Sequence, residues 1–370
     1  MKKHLGLFFT KGVSLAMWAQ VGNLTRELAI YKRLLKHGYE VSFVTYGDKS
    51  DLEYSDSLGG IRVVCNETGL SPEQYEDDLT EIHEQKIREF SVIKTNQMFG
   101  ADIALRAAQK FSKPFVARCG YLWSVNSAKE NGAESEKARE ADRVERLAFS
   151  SAHRISLTTE AMKRDVLRRL PECESKIRII PNYVDTETFR PSSECERIPN
   201  QIIFIGRIAP EKNLASLFKA ISSLDVRLVL IGDGPQRKEL ETDFPELQHK
   251  LTWLGNLPNR ELPLHINRSS IFVLPSLYEG HPKALIEAMA CAVPVIGCDS
   301  PGVREIVKDL ETGILCSSDS DSIRQSINRL MDDAGLASGL GAAARQFICD
   351  CFSLDKIEKL ELQLLSEVGL

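Results

Sequence analysis

The stretch Pro275-Ser276-Leu277-Tyr278-Glu279-Gly280-His281-Pro282-Lys283-Ala284-Leu285-Ile286-Glu287-Ala288-Met289-Ala290 packs a strand end, a turn and a helix start into one short block. The apolar run 270–275 reads as the strand, and Glu279-Gly280 as the turn. Pro282 suits the first turn of the helix over 284–290, where the N–H it lacks has no partner to lose. The exposed amides of such a helix start, aided by the helix dipole, make an anion site. Strand, turn and helix in this order form the repeating unit of a parallel α/β sheet.

Working outward, the unit recurs on both sides. Upstream, the apolar run 201–206 precedes a helix over 214–222, and 227–232, 251–255 and 293–298 read as further strands. In the first half, 5–9, 40–46, 61–65, 91–94, 114–118, 154–158 and 178–181 are strand-like. Leu24, Leu28, Tyr31, Leu34 and Leu35 repeat at helical period over 24–36, and Gly38 ends that helix. Polar segments 71–89 and 134–149 read as solvent-facing helices. The last segment, 354–370, is amphipathic through Leu360, Leu364 and Leu365. Residues 191–200 are polar and linker-like, which places a hinge near 186–200. The 370 residues exceed one ordinary core. The reading is α/β, two Rossmann-like halves facing across a cleft, with ligands expected at the carboxyl ends of the strands.

Composition narrows the function classes. A chain 43% hydrophobic and 27% charged, without low-complexity tracts, is globular. A net charge of −5 argues against nucleic acid as partner. The nine cysteines form no CxxC pair and no zinc-spaced cluster, which fits reduced thiols in a cytoplasmic protein with no metal centre. The start, Met1-Lys2-Lys3 with Leu5-Gly6-Leu7-Phe8-Phe9, is broken by Lys11 and reads as a first strand rather than a signal peptide. No run reaches the roughly 20 apolar residues of a membrane span. Lys163, Arg164, Arg168 and Arg169 form a basic group suited either to peripheral contact with anionic lipid or to a solvated helix face.

Four charged residues carry the chemistry. Strand 201–206 runs into Gly206, and its loop presents Arg207 and Lys212. Two cations there can clamp a diphosphate and neutralise a departing phosphate without Mg²⁺. Glu287, about a turn into the helix at 284–290, suits a pair of ribose hydroxyls, and Glu279 in the turn can reach a sugar. Taken singly, each also reads as a helix cap or a surface charge.

Together these blocks resemble the family 4 retaining glycosyltransferases, of GT-B fold. That family shows a Gly-Arg-x-x-x-Glu-Lys loop, matched by Gly206-Arg207 and Glu211-Lys212, and a Glu-x7-Glu element, matched by Glu279 and Glu287. Gly232-Asp233-Gly234-Pro235, Pro294-Val295-Ile296, Gly313-Ile314-Leu315 and the junction Pro181-Asn182-Tyr183-Val184-Asp185 follow in the family's order. The match covers residues 178–316.

The resemblance implies residues 1–188 as an acceptor-side domain, 189–350 as a nucleotide-sugar-binding domain and 351–370 as a helix crossing back to the first. It implies that Arg207 and Lys212 bind the diphosphate of a UDP- or GDP-sugar. Gly206, Gly234, His281, Lys283 and the amides around Ala284 and Leu285 would assist. Glu287 would hold the ribose and Glu279 the transferred sugar. No cofactor is implied, and the acceptor would be a hydroxyl of a glycan or lipid-linked glycan of cell-surface polysaccharide or lipopolysaccharide. The first half departs from the pattern. The family's Gly-Gly turn falls at Val21-Gly22, so Gly22 alone remains to close on the phosphate. The loop 12–20 is apolar, and Trp18 in it either lines an acceptor site or tucks into the core. Arg118 stands near where relatives carry a His. Alternatives on the same fold are an epimerase, a phosphorylase or a non-catalytic nucleotide-sugar-binding protein. A dehydrogenase is disfavoured, because no Gly-x-Gly-x-x-Gly turn follows the first strand.

Overall fold

A computed structural model describes residues 3–370; Met1 and Lys2, part of the basic start discussed above, lie outside the described residues. The chain divides into two compact units.

The first unit contains residues up to Gln20, Arg26–Pro181 and Ile357–Leu370. Its sheet comprises β1 (His4–Phe8), β2 (Glu40–Asp48), β3 (Arg62–Asn66), β4 (Val92–Thr95), β5 (Phe115–Cys119), β6 (Arg154–Leu157) and β7 (Ile177–Ile179). All neighbours pair parallel, in the order β3-β2-β1-β4-β5-β6-β7. Every residue of β1 and β4 is buried, as expected where helices cover both faces.

Helix Leu24–Lys36 buries Leu28, Ile30, Tyr31 and Leu34 and stops at Gly38, whose φ of 78° suits glycine. The loop expected at 12–20 contains helix Leu15–Gln20. Trp18 on that helix is buried, stacked on Phe9 at 4.2 Å and edge-on to Phe43 at 6.1 Å. The core alternative for Trp18 is therefore the observed one.

The polar segment 71–89 forms two helices, Pro72–Ile82 and Glu84–Arg88, the first opened by a reciprocal Ser71–Gln74 cap. It is not wholly solvated, because Tyr75, Leu79 and Ile87 face the core. Helix Glu136–Ser151 likewise departs from a solvent-facing reading. Its Glu145 is fully buried, accepting hydrogen bonds from Ser124 N at 3.0 Å and Ser124 Oγ at 2.5 Å, and pairing with Arg169 at 2.9 Å. Arg169 also pairs with Asp142, and Arg168 pairs with Asp165. Half of the basic group expected on helix Glu160–Arg169 is thus already neutralised by the protein's own carboxylates.

The terminal helix Leu354–Ser366 joins the first unit from Ile357 onward. Lys94, on β4, meets Glu361 at 2.5 Å, with both side chains buried. His37 meets Glu358 at 2.6 Å, and Arg154 meets Glu367 at 2.6 Å.

The second unit contains Val21–Thr25 and Asn182–Lys356. Its sheet comprises β8 (Gln201–Ile205), β9 (Arg227–Ile231), β10 (Leu251–Gly255), β11 (Ile271–Leu274), β12 (Val295–Cys298) and β13 (Ile314–Cys316). The order is β10-β9-β8-β11-β12-β13, parallel throughout. The division between Pro181 and Asn182 lies earlier than the expected 188/189, since Val184 and Phe189 are already part of the second core. No helix of the described residues is long and apolar enough to cross a membrane.

Candidate active site

At the carboxyl edge of the second sheet, three loops are stacked through their backbones. Gly206 N donates to Ile231 O at 2.9 Å, Ile208 N to Asp233 O at 3.0 Å and Gly232 N to Gly255 O at 2.7 Å. A Cβ on Gly234 would stand 2.3 Å from Ile208 O, so this approach admits only glycine. The stack fixes where β8 delivers its charges. Arg207 is exposed on it, and Lys212 ends the short turn Pro210–Lys212.

Lys212 Nζ lies 2.6 Å from Glu279 Oε1, and Ser276 Oγ donates to the same oxygen at 2.7 Å. The loops after β8 and β11 are joined again by Leu277 N donating to Glu211 O at 2.8 Å. Asn213 (φ 53°) ties this loop to β11 and β13 through Nδ2, at 3.2 Å from Pro275 O and 2.8 Å from Ser318 O. Three residues thus converge on the Glu279 turn, two of them, Ser276 and Asn213, without notice in the sequence reading.

Helix Lys283–Ala290 follows the turn, with Pro282 at its N-cap. Its first intrahelical acceptor, Pro282 O, takes Ile286 N at 3.4 Å, so the amides of Ala284 and Leu285 precede the first helical bond. The Leu285 side chain is core, which leaves only its backbone for a ligand. Lys283 and Ala284 are half-buried. Behind the turn, Gly302 is pressed so closely that a Cβ there would stand 2.1 Å from Gly280 O.

Glu287 is buried, and its Oε1 accepts from Asn259 Nδ2 at 2.8 Å. Asn259 N in turn donates to Gly22 O at 2.9 Å. Gly22 (φ 77°) leaves no room for a Cβ, which would sit 2.0 Å from Leu257 O. The expected ribose carboxylate and the expected phosphate-loop glycine therefore share one partner, Asn259. Pro258-Asn259 is a turn signal in the sequence, but nothing local announces where its amide points.

Two further expected residues are His281 and Arg118. His281 is buried edge-on to Phe352 at 5.0 Å, and its carbonyl accepts from Asn182 Nδ2 at 2.7 Å. Its imidazole is packed into the unit, so the backbone is what His281 offers at the turn. Burial, and then Lys283, push its pKa from 6.5 down to about 3. Between those values the unfolded chain takes up a proton that the folded chain refuses. Stability should therefore fall as pH drops from 6.5 towards 3, by about 1.4 kcal/mol per pH unit for one such group. His281→Gln is expected to flatten that slope in urea titrations; an unaltered slope would mean that the folded imidazole protonates. Arg118, in the first unit, is half-buried, and its Nη1 donates to Asn96 O at 2.7 Å. Among the described residues no three His, Cys, Asp or Glu side chains are grouped as a cation site.

Comparison with known proteins gives this geometry a family. Residues 22–188 match Glycosyltransferase Family 4, and residues 185–347 match Glycosyl transferases group 1. The chain belongs to the family 4 glycosyltransferases. Among solved structures, this glycosyltransferase resembles sucrose-phosphate synthase from Thermosynechococcus elongatus, with TM-score 0.81, 20% identity and 99% of each chain covered. It also resembles Anabaena HepE in complex with UDP-glucose, with TM-score 0.80, 17% identity and 98% and 99% covered. These likenesses carry the fold, which is GT-B. The alpha-maltose-1-phosphate synthase of Mycobacterium tuberculosis is 30% identical over 254 residues, 61% of this chain and 66% of that protein. The glycosyltransferase thus spans just under two thirds of that relative's length. It aligns over 94% of itself and 96% of an uncharacterized glycosyltransferase from Methanocaldococcus jannaschii, at 23% identity.

Proposed function

We propose that this glycosyltransferase moves a hexose, with retention of configuration, from a UDP- or GDP-sugar to a hydroxyl of a glycan or glycolipid, without a metal or other cofactor. The observation that carries the reading is the Lys212–Glu279 pair at 2.6 Å, beside the start of helix Lys283–Ala290. Lysine has three donors, so Lys212 can keep Glu279 while a second N–H reaches a donor phosphate. Arg207, Lys212 and the helix start supply positive potential where a leaving diphosphate gathers charge. In the proposed step the sugar C1–phosphate oxygen bond breaks and the acceptor oxygen bonds C1 on the same face. The acceptor proton passes to the departing phosphate oxygen, so no protein nucleophile is needed. Glu279 steadies the sugar, and Glu287, held by Asn259, takes the ribose hydroxyls.

Support for the donor class comes from relatives. HepE was solved with UDP-glucose, and a 30% identical Mycolicibacterium smegmatis protein is named a GDP-mannose-dependent alpha-mannosyltransferase. The products we propose are cell-surface polysaccharide or lipopolysaccharide.

The test is a thermal-shift series against UDP-, GDP- and ADP-sugars in EDTA. A ligand at 100 times its Kd adds about 2.7 kcal/mol to the folded state. One nucleotide family should raise the melting temperature, Glu287→Ala should remove most of the rise, and Asn259→Ala should weaken affinity about tenfold. No rise at millimolar ligand, or a full rise in Glu287→Ala, would sink the donor site as drawn.

A further inference from the structure

A second concavity lies wholly in the first unit, apart from every residue discussed so far as donor-binding. At about 540 Å³ it is ample for one or two sugar rings. Lys11, Phe99 and Trp123 follow β1, β4 and β5 by a few residues each, so the cavity opens at the carboxyl edge of that sheet, where α/β sheets bind ligands. Helix Glu136–Ser151 supplies the other wall.

Its floor is aromatic and fixed. Phe99 and Trp123 lie 4.8 Å apart at 59°, and Phe99 is 37% exposed. The loops beneath are locked: Lys11 N donates to Phe99 O at 2.9 Å, and a Cβ on Gly100 (φ 90°) would stand 2.8 Å from Lys11 Cβ. Its rim is charged but nearly balanced, with four cationic and three acidic side chains. Arg143 grips Glu140 with two bonds, at 2.8 and 2.7 Å, and Lys11 pairs with Glu76 at 2.7 Å. Paired charges leave little net field for an anion, but they hold donors and acceptors side by side. A hydroxyl, which both donates and accepts, matches such a rim, and the C–H face of a pyranose matches the rings below.

We infer that this cavity is a subsite for a neutral saccharide unit of the acceptor, stacked on Phe99 and Trp123 and hydrogen-bonded by the Arg143–Glu140 pair and Asp102. The inference rests on the glycosyl-transfer reading and narrows its acceptor to a neutral oligosaccharide. Trp123 and Phe99 are binding residues in this account and take no part in the chemical step.

The experiment uses the full chain and an array of neutral gluco-, galacto- and manno-oligosaccharides of two to four units, with phosphorylated and sulfated counterparts. The best neutral binder is then titrated calorimetrically. Trp123→Ala and Phe99→Ala should each weaken it roughly tenfold, which is about 1.4 kcal/mol, and Trp123→Phe should restore most of the affinity. Nucleotide-induced melting shifts should stay as in wild type for all three. Phe99 is exposed, so its variant keeps the test valid should Trp123→Ala fail to fold. Undiminished binding in Phe99→Ala and Trp123→Ala would overturn the subsite, as would wild-type binding to anionic saccharides alone or to none. Loss of the nucleotide shift in wild type would instead strike the donor reading, and the two failures are told apart.

Discussion

Lys212→Ala is expected to lower turnover about 10²- to 10³-fold, roughly 2.7–4 kcal/mol of lost transition-state stabilisation, while donor affinity changes far less. Lys212 is held at Glu279, at 2.6 Å, so the fold itself positions its ammonium. Charge on the leaving diphosphate grows as the C1–O bond breaks, and the interaction gains most there. That is the condition for an effect on turnover rather than on binding. Lys212→Arg should recover only part of the loss, because a planar guanidinium cannot satisfy the Glu279 oxygen and a phosphate from the same point. Hydrolysis of the donor by water, followed at saturating nucleotide-sugar, measures this without a known acceptor. Turnover within threefold of wild type would remove Lys212 from the reacting centre.

Lys94→Met should cost about 3–5 kcal/mol of stability, and Lys94→Met/Glu361→Leu should recover most of it. The two side chains are 2% and 9% exposed and 2.5 Å apart. Burial drives the Lys94 pKa down, and the attraction of Glu361 opposes that without cancelling it. The pair is therefore a poor substitute for apolar contact, yet half of it is worse: an uncompensated carboxylate would remain under the terminal helix. Urea unfolding, compared at constant m-value, separates the cases. Equal losses in the single and double variants would mean that the pair stabilises the unit through attraction rather than by mutual neutralisation.

Much of this architecture was legible in the sequence because parallel strands are buried on both faces. Runs such as Ile202-Ile203-Phe204-Ile205 have no alternation to misread, and Leu24–Lys36 carries both its period and its terminating glycine. What escaped has a common cause. Helix Leu15–Gln20 is short and apolar all round its buried side, so it read as loop. Tyr75 and Leu79 are isolated in a polar stretch, and four residues apart they still form a stripe that turns 71–89 inward. At the site, residue types were readable but their pairings were not. Lys212 and Glu279 are 67 residues apart, and Asn259 and Glu287 are 28 apart, so only the fold brings them together. Direction was equally hidden: Trp18 and His281 are polar-tipped rings that a sequence cannot aim, and both point into packed interiors.

The docking of Ile357–Leu370 on the first unit bears on how the chain is made. Lys94 leaves the ribosome 267 residues before Glu361. At roughly 5–20 residues per second, the nascent first unit waits tens of seconds with an ammonium group aimed at a partner not yet translated. The contiguous run Asn182–Lys356 can settle in that interval. The half of the protein synthesised first is thus the half completed last, and a premature stop codon anywhere in the final helix would spare the donor loops while leaving the earlier unit unfinished.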